Sequence, residues 1–227
     1  MFGLDKESPA IFRDRADAGQ QLAEALAEYE DRADVVVLGL PRGGVPVAYE
    51  VARALDAPLD VFIVRKLGVP GHEELAMGAI ASGGVRVINQ DVTRELGLAQ
   101  EAIEAVARKE GQELARREEA FRNGRSGINL HGKVAILVDD GIATGASMRA
   151  AVKGLRQHNP AKIIVAAPVA SAEACRNFEA LVDEVVCLQQ PRPFLGVGAW
   201  FESFAQTTND EVRALLEKAT AFGEPVA

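Results

Sequence analysis

The most informative part of the chain reads Val134-Ala135-Ile136-Leu137-Val138-Asp139-Asp140-Gly141-Ile142-Ala143-Thr144-Gly145-Ala146-Ser147. Its first five residues are apolar and predict a buried strand, which delivers two adjacent acids at its carboxyl end. A loop of small residues then leads into a helix. Ligands of open parallel sheets bind beyond the carboxyl ends of the strands, so we expect a binding site at this loop.

The residue types of this segment suit a ligand that carries both a phosphate and sugar hydroxyls. The backbone N–H groups of the loop and the positive end of the following helix form an anion site, to which Thr144 and Ser147 add hydroxyl donors. The ionised carboxylates of Asp139 and Asp140 only accept hydrogen bonds, so they favour hydroxyls or a cation. The structural alternative is a capped helix that follows a strand and has two acids at its start.

The rest of the chain alternates between predicted strands and predicted helices. Strands are expected at residues 35–40, 59–64, 163–167 and 185–188, with two short segments within 80–88. Helices are expected at residues 14–29, 45–55, 146–157 and 172–181, and Asn209 is expected to cap a last helix. This alternation predicts one α/β domain over residues 1–227, with an open, mostly parallel sheet and helices on both faces.

Composition excludes several classes of protein. The 227 residues are 48% apolar and 26% charged, as in globular domains. A net charge of −8 makes nucleic acid or an anionic membrane an unexpected partner. No apolar run approaches the roughly 20 residues of a membrane helix, and the first residues lack the layout of a signal peptide. Two cysteines, Cys175 and Cys187, fit neither a disulfide framework nor a zinc site. We therefore expect a cytoplasmic protein with reduced thiols.

Residues 93–122 depart from the alternation, because they are rich in Ala, Glu and Arg and predict one long helix. Glu113 and Arg117 have the i,i+4 spacing that supports helices, while Ile103 and Leu114 belong to one apolar stripe. One interpretation is an extra helix packed on the sheet. The other is an arm that forms a homodimer, since the helix is long for a globular domain.

Residues 134–147 resemble the phosphoribosyl diphosphate (PRPP) motif of type I phosphoribosyltransferases: a hydrophobic strand, two acids, two variable residues and Ala-Thr-Gly-x-Ser/Thr. The resemblance implies the fold of that family, with a small hood over the site. It implies that Asp139 and Asp140 hold the ribose hydroxyls and act as the catalytic acids. Ribose and 5-phosphate would together contact Asp139, Asp140, Gly141, Ile142, Ala143, Thr144, Gly145, Ala146 and Ser147. Members that bind 6-oxopurines commonly have an acid where Ala143 stands, which disfavours hypoxanthine or guanine.

Pro41-Arg42-Gly43-Gly44 follows the first predicted core strand and resembles the pyrophosphate loop of the family. Glycines allow close approach of the backbone, and the Arg42 guanidinium offers several donors to diphosphate oxygens. Arg65 and Lys66 follow the second predicted strand and are expected to face the same crevice; the alternative is a solvated strand end. The diphosphate residues implied by the resemblance are Arg42, Gly43, Gly44, Arg65 and Lys66. Residues 67–76 resemble the mobile lid of the fold, which would exclude water.

The C-terminal part brings aromatic residues to a chain that has only 5% of them. The hood of this family selects the acceptor, and Phe194, Trp200 and Phe201 would stack on a planar base. The alternative is a hydrophobic plug that fastens the tail to the sheet. We expect a core of about residues 30–190, including the helical insertion 93–122, and a hood from residues 1–15 and 190–227.

The resemblance implies an enzyme of the pentosyltransferase class that works in nucleotide metabolism. It would transfer the 5-phosphoribosyl group of PRPP to a nucleobase-like nitrogen acceptor and release diphosphate. Mg²⁺ would arrive with PRPP, held by substrate oxygens and water without a direct protein ligand, and Asp139 and Asp140 would reach it at most through water. Arg13-Asp14-Arg15 and Gly198-Ala199-Trp200-Phe201 resemble an uncharacterised bacterial branch of the family, which leaves the acceptor open. The other interpretations are a PRPP-sensing regulator on the same fold and a phosphosugar hydrolase or phosphorylase.

Overall fold

Two sheets and seven α-helices make up the computed structural model, which describes residues 11–222. The strands are Val35–Gly39 (β1), Leu59–Val61 (β2), Val64–Val69 (β3), His72–Ala81 (β4), Val85–Ile88 (β5), Val134–Val138 (β6), Lys162–Val169 (β7) and Glu184–Gln189 (β8). The helices are Arg15–Ala25 (α1), Gly44–Ala54 (α2), Gln90–Glu95 (α3), Gln100–Arg122 (α4), Ala146–Arg156 (α5), Ala172–Glu179 (α6) and Asn209–Lys218 (α7).

The larger sheet has five strands in the order β2-β1-β6-β7-β8, and all neighbouring strands are parallel. Every residue of β1 and β6 is buried, because helices cover both faces of the sheet. Successive side chains alternate between two cores: Val37 packs with α1, α2 and α7, and Val36 packs with α5 and α6. The predicted α/β fold with a mostly parallel sheet is confirmed.

The second sheet contains the three antiparallel strands β3, β4 and β5. The predicted strand 59–64 is wrong in its extent, because the chain turns at Phe62–Ile63 and enters this second sheet. Ser82 holds the turn, since its Oγ accepts the N–H of Ile63 at 2.9 Å. Residues 67–76, expected as a lid loop, instead form the tip of the β3–β4 hairpin, and they include a bulged register at Gly68.

The predicted helix 93–122 is two helices, because Gly97 adopts a positive φ between α3 and α4. α4 packs against β3, β4 and α7, as the first of the two interpretations proposed. Its last residue anchors it: Arg122 Nε donates to Asp60 Oδ1 at 3.0 Å, and both side chains are largely buried. A homodimer stays a prediction.

The two ends of the described chain meet beside the parallel sheet. Phe12 and Phe201 form an isolated parallel bridge, and the N–H groups of Glu202 and Ser203 donate to the carbonyls of Phe12 and Arg13 at 2.9 Å. Of the predicted hood, residues 1–10 and 223–227 lie outside the described residues. The division into core and hood stays a prediction.

Thr208, and not Asn209, caps α7. Its side chain accepts the N–H of Glu211, and the Glu211 carboxylate accepts the N–H of Thr208 in return. This reciprocal capping box moves the cap one residue upstream of the predicted position.

Cys175 and Cys187 carry free thiols, with their sulfur atoms 2.8 Å apart between α6 and β8. Within residues 11–222, no helix is both long and apolar enough to cross a bilayer. The cytoplasmic location stays a prediction.

Candidate functional site

The acid pair lies at the carboxyl end of the central strand. β6 ends at Val138, which pairs with Gly39 at the end of β1 and with Ala166 of β7. Asp139 and Asp140 therefore leave the sheet beside the turn that follows β1. The Asp139 carboxylate folds back, since its Oδ1 accepts the N–H of Asp140 at 2.9 Å.

The predicted pyrophosphate loop packs directly on these acids. A Cβ atom on Gly43 would overlap Asp140 Oδ2 and lie 2.8 Å from Asp140 Cγ, and a Cβ atom on Gly44 would lie 2.7 Å from the carbonyl oxygen of Val138. Only residues without a side chain allow this approach. The peptide bond between Pro41 and Arg42 is cis. The structure thus brings the two sequence-predicted loops together at the same edge of the sheet.

Arg15, from the first turn of α1, forms an ion pair with the second acid. Its Nε donates to Asp140 Oδ2 at 2.8 Å, and the two side chains are only 12% and 15% exposed. Burial raises the pKa of the Asp139 carboxyl well above its usual range, and the negative charge of Asp140 adds to this effect. Burial also raises the pKa of Asp140, although the Arg15 guanidinium opposes it. The site therefore holds two desolvated acids and one cation that favours their ionised form.

The loop after the acids is tied down through its carbonyl groups. Arg149 Nη2 donates to the Thr144 carbonyl at 2.9 Å, and Ser171 Oγ donates to the Ala143 carbonyl at 2.8 Å. Within residues 11–222, the backbone N–H groups of Thr144 and Gly145 have no hydrogen-bond acceptor. Thr144 and Ser147 are exposed, and α5 begins directly after Gly145. Free N–H groups at a helix start form a site for an anion.

A cleft of about 430 Å³ opens beside the loop that contains Arg42. It is lined in part by Arg42, Phe62, Arg116, Arg117, Ser147 and Asn209. Arg42 is exposed and has no hydrogen-bond or ion-pair partner in the described part of the chain. α4 supplies Arg116 and Arg117, whose Nε atoms lie 2.8 and 3.0 Å from the Glu113 carboxylate. These hydrogen bonds lower the pKa of Glu113 to about 2. Three arginines against one glutamate make the cleft suitable for an anion.

The structure contradicts the placement of Arg65 and Lys66 at the end of a parallel strand. Both lie within β3 of the antiparallel sheet. Arg65 Nε donates to Glu110 Oε2 of α4 at 2.6 Å, and Lys66 Nζ donates to the carbonyl of Glu74 at 3.1 Å. They line a separate cleft of about 420 Å³ between the hairpin and α4. Arg65 therefore holds α4 in place and does not face the Arg42 cleft.

The aromatic residues of the C-terminal part follow the second alternative, a hydrophobic plug. Trp200 and Phe201 are each only 6% exposed, and they pack with Phe12 and Val169. Their faces are thus covered and cannot stack on a base, which corrects the predicted acceptor contact for these two residues. Phe194 is partly buried against the same cluster.

The comparisons with known proteins agree with this geometry. A model of the phosphoribosyl transferase domain matches residues 7–198. The chain belongs to the phosphoribosyl transferase family. The chain is 53% identical over 209 residues to Rv0571c of Mycobacterium tuberculosis H37Rv, named as a candidate phosphoribosyl transferase. MT0597 of the CDC 1551 strain has the same identity and name. The match covers 92% of this chain and 47% of either relative, so the chain spans about half their length.

A phosphoribosyl transferase fold of the same kind has been solved for the protein TT1426 of Thermus thermophilus. The chain is 45% identical to it, with a TM-score of 0.81, and the match covers 91% of this chain and 98% of that one. The family match spans both loops and the acid pair, while Trp200 and Phe201 lie beyond it.

Sequence reasoning assigned no role to three residues of this phosphoribosyl transferase site: Arg15, Arg116 and Arg117. Arg15 belongs to the Arg13-Asp14-Arg15 triplet, which was recognisable only as a resemblance. Arg116 and Arg117 lie on a helix whose charge pattern indicated no more than i,i+4 support. No local signal places these residues at a site formed by distant segments of the chain, because their proximity arises from tertiary packing.

Proposed function

We propose that this chain binds PRPP at the carboxyl edge of the parallel sheet and transfers its 5-phosphoribosyl group to a nitrogen acceptor. In this proposal the ribose hydroxyls bind Asp139 and Asp140. The 5-phosphate binds residues 141–147, and the diphosphate binds Arg42, Gly43 and Gly44. A phosphate, two hydroxyl acceptors and a diphosphate site in this order match the parts of PRPP.

One observation supports the proposal above the others: the contact between the Gly43–Gly44 turn and the acid pair. It sets an anion loop on each side of two carboxylates, close enough for one small ligand to reach both loops. A phosphate site alone would need neither the acids nor the second loop. The cleft with Arg42, Arg116 and Arg117 extends the diphosphate side.

The chemistry follows from how these groups hold the substrate. As the bond between the anomeric carbon and diphosphate breaks, positive charge develops on the ribose ring, as in other oxocarbenium-like reactions. The ionised Asp139 and Asp140 stabilise that charge, and Arg42 stabilises the negative charge of the leaving diphosphate. The nitrogen acceptor then forms the new bond to the anomeric carbon. Holding both anions fixes the ring between them, which aligns it for displacement.

Mg²⁺ fits this site as an ion brought by the substrate. Within residues 11–222, no cluster of three or more His, Cys, Asp or Glu side chains could hold a metal, and Asp139 and Asp140 already accept hydrogen bonds from the chain. Mg²⁺ commonly keeps several waters and binds through substrate phosphates. It would be held by diphosphate oxygens and water, with the acid pair reaching it through water, and it would supply charge neutralisation of the diphosphate.

The acceptor in this proposal is a planar, nucleobase-like nitrogen compound. Ala143 provides no carboxylate near the 5-phosphate loop, so hypoxanthine and guanine are disfavoured. Of the three aromatic residues proposed as the acceptor hood, only Phe194 keeps a partly open ring.

Calorimetric titration with PRPP and Mg²⁺, followed by a diphosphate-release assay against a panel of nitrogen acceptors, tests the proposal. We expect PRPP binding and a release rate that rises with one class of acceptor, both lost in the Asp139→Asn/Asp140→Asn double variant. Full release without any acceptor would instead indicate a hydrolase. No release combined with specific retention of RNA or DNA on a filter would indicate a regulator.

A further inference from the structure

Arg15 makes three contacts that together fix its guanidinium group. Nε donates to Asp140 Oδ2 at 2.8 Å, Nη1 donates to the carbonyl of Ala205 at 2.6 Å, and the Phe204 ring lies 3.8 Å from its Cζ. The side chain is only 12% exposed. A guanidinium with a salt bridge, a carbonyl acceptor and an aromatic face has little freedom to move.

This arrangement leaves one oxygen of Asp140 for a ligand. Oδ2 lies between the Arg15 guanidinium and the backbone of Gly43, where even a Cβ atom would overlap it. Oδ1 has no hydrogen-bond partner within residues 11–222. A carboxylate that is held by one oxygen presents the other in a fixed direction, so a hydroxyl that binds Oδ1 meets an acceptor that is already oriented.

The charges around Asp140 show why it needs this support. Asp139 precedes it in the chain, and two carboxylates this close repel each other. Arg15 is the cation that faces both acids, and the nearby Glu211 on α7 also feels its charge. Without Arg15, the Asp140 side chain would turn away from Asp139, because nothing else in the described part of the chain donates a hydrogen bond to its carboxylate.

We propose that Arg15 is a positioning residue that orients the Asp140 carboxylate, so that Oδ1 accepts a ribose hydroxyl. This inference rests on the proposed function, because it assumes a ribose ligand at the acid pair. It goes further in assigning a role to a residue of α1 that lies outside both loops. It also links the ribose site to the C-terminal segment, since the same guanidinium holds Ala205 and Phe204.

A double-mutant cycle with ribose 5-phosphate as the probe tests this role. Calorimetry would compare the wild type, Arg15→Met, Asp140→Asn and the double variant. We expect Arg15→Met to weaken binding about tenfold, since a carboxylate that must be ordered on binding loses affinity. If Arg15 acts only through Asp140, the double variant binds within about twofold of Asp140→Asn, the margin for independent sites. A merely structural role, or direct contact of Arg15 with the ligand, would weaken the double variant further and overturn the proposal.

Two more variants complete the experiment. Arg13→Met is the matched control, because Arg13 is 72% exposed and pairs with Asp17 away from the site; its affinity should equal that of the wild type. Arg15→Lys keeps the charge and guards against a Met variant that does not fold. It should recover most of the lost affinity, and a Lys variant as weak as Met would contradict the role. A folded wild type that binds neither ribose 5-phosphate nor PRPP would refute the proposed function together with this role. Binding with additive losses would refute the role alone.

Discussion

At the scale of single residues, the site depends on two acids whose ionisation opposes their burial. Burial raises the pKa of both carboxyls, and the negative charge of Asp140 raises that of Asp139 further. A buried like-charge pair costs folding free energy, and it persists where the charge is needed for a ligand. The predicted loss of function and the predicted gain of stability at these residues follow from this same conflict.

Asp140→Asn should weaken PRPP binding at least about tenfold, because it removes an acceptor of charge-assisted hydrogen bonds worth about 1.5–3 kcal/mol. Calorimetry with PRPP and Mg²⁺ measures the change. Asp34→Asn is the control, since Asp34 lies at the opposite end of β1 and pairs only with Arg32. Equal affinities of Asp140→Asn and the wild type would remove the acid pair from the ribose site.

Asp139→Asn should raise the melting temperature of the ligand-free protein by a few degrees at pH 7. Asparagine Oδ1 can still accept the N–H of Asp140, while the desolvated charge and its repulsion disappear. An acid with a raised pKa in the folded state destabilises the protein above that pKa and becomes neutral below it. The gain should therefore shrink as the pH falls through the raised pKa towards the ordinary value. A gain that is constant from neutral to acidic pH would contradict this explanation.

At the scale of elements, α4 explains why part of the site escaped prediction. Its apolar stripe and ion pairs predicted a helix, and Glu113–Arg117 does form as expected. The packing of α4 on β3 could not be predicted, because β3 and the start of β4 are largely exposed and lack a buried apolar run. That packing moves Arg65 to Glu110 and brings Arg116 and Arg117 into the Arg42 cleft instead.

Arg42→Ala should weaken PRPP binding about tenfold and leave ribose 5-phosphate binding unchanged, since one arginine–phosphate contact is worth about 1.5–3 kcal/mol. The Arg116→Gln/Arg117→Gln double variant should show the same selectivity if α4 extends the diphosphate side. Arg108→Gln on the same helix, exposed and outside the lining of the cleft, serves as the control. Equal losses for both ligands would contradict the division of the crevice into two anion sites.

At the scale of the whole molecule, the parallel sheet and its ligand edge were predictable, because each buried strand is a short apolar run and the key acids adjoin one of them. The second sheet was not, and neither was the closure of the chain ends over Asp140 by Arg15. Both depend on contacts between distant segments. The anchoring of α4 to the parallel sheet is a third such contact, in which Asp60 accepts from Arg122 and from the N–H groups of Val61 and Ile128.

Arg122→Ala should lower the free energy of unfolding by about 2–3 kcal/mol. Breaking a buried pair costs about 3–5 kcal/mol, and the two backbone donors that remain on Asp60 reduce that cost. Urea unfolding measures it. Arg94→Ala is the control, because Arg94 and Asp91 are 78% and 91% exposed and such pairs contribute about 0–1 kcal/mol. Similar values for the two variants would contradict the anchoring role.

The contact between Gly43 and Asp140 separates two reasons for which a glycine can be irreplaceable. Gly43 has φ −61° and ψ −32°, which any residue adopts, so a methyl group there strains only the neighbouring carboxylate. Gly71, at the hairpin tip, has φ +79° and no atom within reach of a Cβ. We expect Gly43→Ala to melt close to the wild type yet lose PRPP binding, and Gly71→Ala to bind normally but be about 1 kcal/mol less stable. A stability screen would accept the first substitution and an activity screen the second, so the variation that each position tolerates would depend on which property is selected.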